Sequence, residues 1–235
     1  MPPLRSLPAY PRIRVVENFP ELVAAPFANG VNALCWPRTL SGDFSEVVEK
    51  LGAGEGIEPL DEARLSGLAL SAAGQTARDI LLADLHLLRA HGLAPELNCI
   101  HSYPRDEEDA TVPTDVYSFH ADSAPIAAST WLCTYHGPAS EGLRNAEAQR
   151  RVDLPATRAA LLKEYGRQDD AGFLEFLSEN CYDLHYAPVP NAQPFSFGLG
   201  HLWRIALDWP GSPVPPCVHR APATLPGQAR LLLIS

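Results

Sequence analysis

Short apolar and aromatic runs, each closed by Pro, Gly, Asn or Asp, crowd the C-terminal two thirds of the chain at residues 97–103, 116–122, 130–136, 195–209, 217–220 and 229–234. Runs this brief with turn residues at both ends suit strands, and Gly198 and Gly200 mark the longest as two strands or one bent strand. Punctuation is chain-wide: 23 prolines and 16 glycines in 235 residues are too many for a helical bundle and too few for a low-complexity chain. Six or more strands and a length within reach of one core predict a single, mainly β domain with helices backing one side. No internal repeat interrupts that reading.

Helical periodicity is local. Ala77, Leu81, Leu85 and Leu88 recur at steps of three and four, with Thr76 and Asp79 near the start and Gly92 past the end, which predicts a helix over residues 75–91 laid on the sheet. Residues 43–51 predict a shorter helix with Phe44, Val47, Val48 and Leu51 on one side. Residues 155–182 open at Pro155 and are interrupted near Gly166 and Gly172; they read as a helical insertion and a candidate lid over a pocket. Residues 30–40 predict a strand entering a turn at Trp36-Pro37, and five prolines in residues 1–20 predict an extended arm.

Composition narrows the partners. There are 18 basic against 28 acidic residues, a net charge of −10, and no Lys/Arg stripe of the kind a phosphate backbone demands, so nucleic acid is not expected. No apolar stretch reaches the roughly 18 residues of a membrane span, and residues 1–20 lack the continuous apolar segment of a signal peptide, so a cytoplasmic protein without a membrane partner is expected. Five widely spaced cysteines without a C-x-x-C pair signal neither a disulfide framework nor a thiolate zinc site. The oligomeric state is not legible.

Chemistry enters at Phe119-His120-Ala121-Asp122. Side chains two apart on a strand share a face, so an imidazole and a carboxylate project together. By itself H-x-D is common. Near the other end, His219 is followed by a Pro-Gly turn and a run containing Arg230. A hairpin centred near Leu225 would make His219 and Arg230 cross-strand neighbours. Facing inward with Leu232 and Ile234, Arg230 would be a buried charge requiring an anion, which a dicarboxylate cosubstrate would supply. His120, Asp122 and His219 together form a two-histidine, one-carboxylate set of the type that holds iron(II) on one octahedral face and leaves positions for a 2-oxo acid and dioxygen.

With these residues the chain resembles the Fe(II)/2-oxoglutarate-dependent dioxygenase superfamily over residues 97–234, in its prolyl-hydroxylase-like form. The resemblance implies a double-stranded β-helix (jelly roll), His120, Asp122 and His219 as metal ligands and catalytic centre, and Arg230, eleven positions after His219, as the anchor for 2-oxoglutarate. The run from Trp131 to Glu141 is similar to a stretch in that group and implies that Tyr135, sharing a face with Trp131 and Cys133, helps Arg230 bind the cosubstrate, although Gly137-Pro138-Ala139-Ser140 departs from the usual Gly-Gly-x-Thr-like turn. The surroundings of His120, the Thr134–Pro138 segment and His219-Arg220-Ala221-Pro222 also resemble a bacterial family of uncharacterised proteins. The implied activity is hydroxylation of a small molecule, an amino acid or specialised metabolite, with release of succinate and CO2. Desaturation and ring closure are the related outcomes. Asp122 favours hydroxylation, because halogenating relatives carry a small residue there.

Two other readings stay open: a cupin-like metalloprotein working without 2-oxoglutarate as an isomerase or in metal handling, and a non-catalytic binding module. His86, His91, His101, His136, His185 and His201 show no ligand spacing. Arg204 and Arg220 are further candidates for substrate contact, but Arg220 alternates away from His219 and is expected in a structural ion pair. Trp131, Trp203 and Trp209 are expected to pack.

Overall fold

A computed structural model describes residues 8–224 and 227–235. The first part of the chain runs through β1 (Ile13–Val15), α1 (Phe19–Ala24), β2 (Ala33–Trp36), α2 (Phe44–Leu51), β3 (Ile57–Pro59), α3 (Glu62–Ser66) and α4 (Ala72–Ala90). Then follow β4 (Glu96–Ile100), β5 (Phe119–His120), β6 (Ser129–His136), β7 (Glu141–Leu143), β8 (Ala148–Arg150), α5 (Pro155–Tyr165) and α6 (Ala171–Glu179). The last strands are β9 (His185–Pro188), β10 (Phe195–Ser196), β11 (Leu202–Ala206), β12 (Val218–Arg220) and β13 (Arg230–Ile234). They form a seven-stranded sheet ordered β1-β2-β11-β6-β13-β4-β3 and a six-stranded sheet ordered β10-β7-β12-β5-β9-β8. The protein is mainly β with flanking helices.

Alternation along the strands separates two cores. On β6, Trp131, Cys133 and Tyr135 point to the outer face of the larger sheet, where they meet Leu81, Leu85 and Leu88 of α4. Leu132 points the other way, into an inter-sheet core with Phe197, Trp203 and Leu232. Each fully buried leucine in these layers contributes about 1.5–3 kcal/mol. The α4 stripe lies where its periodicity placed it, but the helix begins three residues before Gln75: the Ser71 hydroxyl accepts from the Gly74 N–H and caps it.

Other expectations need correction. Residues 1–7 of the expected arm lie outside the described residues. Beyond them Ile13–Val15 pairs in parallel with β2, and Pro20 sits in the first turn of α1, where its missing N–H costs nothing. Gly166 does end α5, in the left-handed region, but Gly172 lies inside α6, its N–H bonded to the Asp170 cap. The two helices close a small core of Leu161, Phe173 and Leu177 with Val112 and Val152.

The expected hairpin does not form. β12 bonds to β5 and β7 in the smaller sheet, whereas β13 bonds to β4 and β6 in the larger one. Both edges of β13 are filled, so β12 and β13 lie in different sheets; Leu225 and Pro226 lie outside the described residues. Cys35, Cys99, Cys133 and Cys217 are buried free thiols, Cys181 is exposed, and no described helix is long and apolar enough to cross a membrane.

Candidate metal centre and its cavity

Antiparallel pairing sets His219 directly opposite His120, so the two imidazoles leave the same face with ring centroids 4.6 Å apart. Strand β5 is shorter than the expected 116–122 and stops at His120, yet Asp122 still reaches the histidines because its carbonyl accepts from the Asp208 N–H at 2.8 Å. Its two oxygens stand 3.7 Å from His120 Nε2 and 3.7 Å from His219 Nε2. One ligand atom from each of the three residues lies within 4.8 Å of the others.

The backbone fixes the tautomers. His120 Nδ1 lies 2.8 Å from the Ser118 carbonyl and His219 Nδ1 lies 3.3 Å from the Cys217 carbonyl. A carbonyl can only accept, so each neutral ring carries its proton on Nδ1 and turns the Nε2 lone pair toward Asp122. Burial, with His219 alongside, drives the His120 pKa down to about 4, which keeps the ring neutral. Burial pushes the Asp122 carboxyl up, but His219 and the Thr130 hydroxyl, donating at 2.5 Å, outweigh it and leave Asp122 below its ordinary value. Two imidazole nitrogen donors and one carboxylate oxygen donor are a set suited to a divalent first-row cation.

Arg230 enters the same space from the larger sheet. It is 1% exposed, and its guanidinium donates to Tyr103 Oη at 2.8 Å, Thr134 Oγ1 at 2.9 Å and Ser140 Oγ at 2.6 Å. These acceptors are neutral, and Arg230 Nε is buried with no hydrogen-bond partner among the described residues. Burial lowers its pKa, and Tyr103 only partly offsets the desolvation. A cavity of about 360 Å³ joins the two groups: His120, Asp122 and His219 line one wall, and Arg230, Leu132 and Leu232 line the other. Its lining includes no residue of α5 or α6.

Tyr135 is not there. It shares the outer face with Trp131 and Cys133, as its spacing indicated, and that face packs on the helices. Its hydroxyl donates to Asp84 Oδ2 at 2.6 Å, Asp84 pairs with Arg38 at 2.7 Å, and the ring stacks on Phe44. The neighbouring Thr134 points inward to Arg230 instead. Arg220 forms the expected ion pair, 2.7 Å from Glu141. Arg204 donates to the Val23 and Ala25 carbonyls and lies over Trp131, a structural role away from the cavity.

Sequence reasoning missed Tyr103, Thr130, Thr134, Ser140 and Asn98, although Asn98 and Thr134 carry a readable signal as inward polar residues of apolar strands. Comparison with models of known families, with curated proteins and with solved structures finds no match.

Proposed function

We propose that the protein is a non-haem iron(II)- and 2-oxoglutarate-dependent oxygenase that hydroxylates a small molecule, and that its two sheets form a double-stranded β-helix. The observation that carries this reading is Arg230: a buried cation with only hydroxyl partners, facing the same cavity as a two-histidine, one-carboxylate group. An unpaired buried charge is costly, and a dicarboxylate that also reaches the three ligands would remove the cost.

His120, Asp122 and His219 would hold the metal, with the Ser118 and Cys217 carbonyls aiming the two Nε2 lone pairs and Thr130 fixing the carboxylate. Arg230 would bind the far carboxylate of 2-oxoglutarate, oriented by Tyr103, Thr134 and Ser140. When bound, iron and 2-oxoglutarate supply oxidative decarboxylation with dioxygen, releasing succinate and CO2 and providing an oxidant for a C–H bond. Leu132, Leu232 and Ile100 keep the surroundings apolar and exclude water.

Anaerobic addition of Fe(II) and then 2-oxoglutarate to the metal-free protein is the test. One iron and one 2-oxoglutarate per chain are expected, with a visible charge-transfer band that His219→Ala abolishes by losing the iron. Stoichiometric iron in that variant, or no band in the parent protein, rejects the reading.

A further inference from the structure

The inner face of β4 presents residues 96, 98 and 100, and antiparallel pairing sets Arg230 opposite Ile100, Leu232 opposite Asn98 and Ile234 opposite Glu96. On the far side β3 adds Ile57 opposite Ile100 and Pro59 opposite Asn98. The cavity floor is therefore three cross-strand rows separated by about 7 Å, two residues of strand rise each. A guanidinium stands at the buried end, a carboxamide in the middle and a carboxylate at the open end, all lining the cavity.

Asn98 is only 5% exposed, and its Oδ1 is buried with no hydrogen-bond partner among the described residues. Rotating the amide exchanges its oxygen and nitrogen, so this side chain can offer an acceptor to a ligand above it. Glu96 stands at the exposed end of β4, within the same lining. With a cosubstrate carboxylate on Arg230 and a metal on Asp122 and the histidines, Glu96 is the charged side chain left in the lining. Ile234, opposite Glu96, is 36% exposed, and Ile57 and Val116, elsewhere in the same lining, are 47% and 37% exposed, aliphatic side chains held in solvent at the edge of a cavity. Such an edge suits the apolar body of a ligand.

We propose that the substrate is an apolar-bodied amine: its ammonium lies between Asn98 and Glu96, and its hydrocarbon extends over the aliphatic lining that runs from Ile234 toward Ile57 and Val116. This deepens the oxygenase reading and rests on it, because an unneutralised Arg230 would repel an ammonium.

The test is calorimetric, with 1-hexylamine, 1-hexanol and hexanoate titrated into anaerobic protein already holding Fe(II) and 2-oxoglutarate. Hexylamine is expected to bind about ten-fold tighter than hexanol, with hexanoate weakest; in Glu96→Gln the amine advantage falls to about two-fold while 2-oxoglutarate affinity is unchanged. Hexanoate binding as well as hexylamine, no binding by any of the three, or an amine advantage that survives Glu96→Gln overturns the proposal. The preceding 2-oxoglutarate titration separates the two claims. No cosubstrate binding overturns both, whereas cosubstrate binding without amine preference overturns only this one.

Discussion

Arg230 and Tyr135 show how far one side chain's surroundings decide its role. Arg230 has three hydroxyl partners and an orphaned Nε. Replacing it with Met is therefore expected to leave the free protein at least as stable, since an uncompensated charge leaves the interior, while 2-oxoglutarate affinity falls at least ten-fold for the roughly 1.5–3 kcal/mol of each lost charge-assisted hydrogen bond. Thermal melting and a 2-oxoglutarate titration check both halves. Tyr135→Phe is expected to do the reverse: it unpairs Asp84 from one donor, costs about 1–3 kcal/mol in denaturant unfolding, and leaves 2-oxoglutarate affinity unchanged. The spacing of residues 131, 133 and 135 correctly put them on one face. Their sequence did not say which face meets the helices, because both faces of β6 are buried.

Among the elements, β7 holds the site together although it is only three residues long. Gly142 pairs with His219 on one side and Phe195 on the other, and a side chain there would run into the Phe195 and Phe197 rings. Gly142→Ala is expected to cost about 1–3 kcal/mol by overpacking and to weaken iron binding by moving β12; urea unfolding and metal titration measure the two effects. A strand this short with glycine at its centre gives no period to read, and β1, β3, β8 and β9, at three or four residues, are likewise too short. Longer elements were readable: α4 through its steps of three and four, and β4, β6 and β13 through mainly apolar runs. The H-x-D pair was readable from its spacing, although it is the bond to Asp208 and not a continuing strand that keeps Asp122 beside His120. The relation of His219 to Arg230 was misread for the opposite reason, as two nearby runs look like a hairpin whether or not the chain crosses between sheets.

For the molecule as a whole, the titrating groups make acid the weak side. Hydrogen bonds from Ser45 and Ser71 hold Asp43 and Glu46 below their ordinary values of 3.8 and 4.5, and burial holds His201 below 6.5. In each case the unfolded chain takes up its proton at a higher pH than the folded one, so acidification favours unfolding. The melting temperature of the metal-free protein is expected to decline below about pH 6.5 as His201 is forced to charge, and more steeply once the carboxyls protonate. A flat or rising profile from pH 7 to pH 3.5 would contradict this assignment.

His120 and His219 of the candidate metal centre belong to one sheet and Arg230 to the other, so the spacing between the sheets works as a calliper. In the proposed oxygenase, a diacid would be gauged by its span: one methylene too few leaves a jaw empty, and one too many pries the layers apart. Substitutions deep in the Phe197–Trp203 layer, remote from any reacting atom, would reset that gauge.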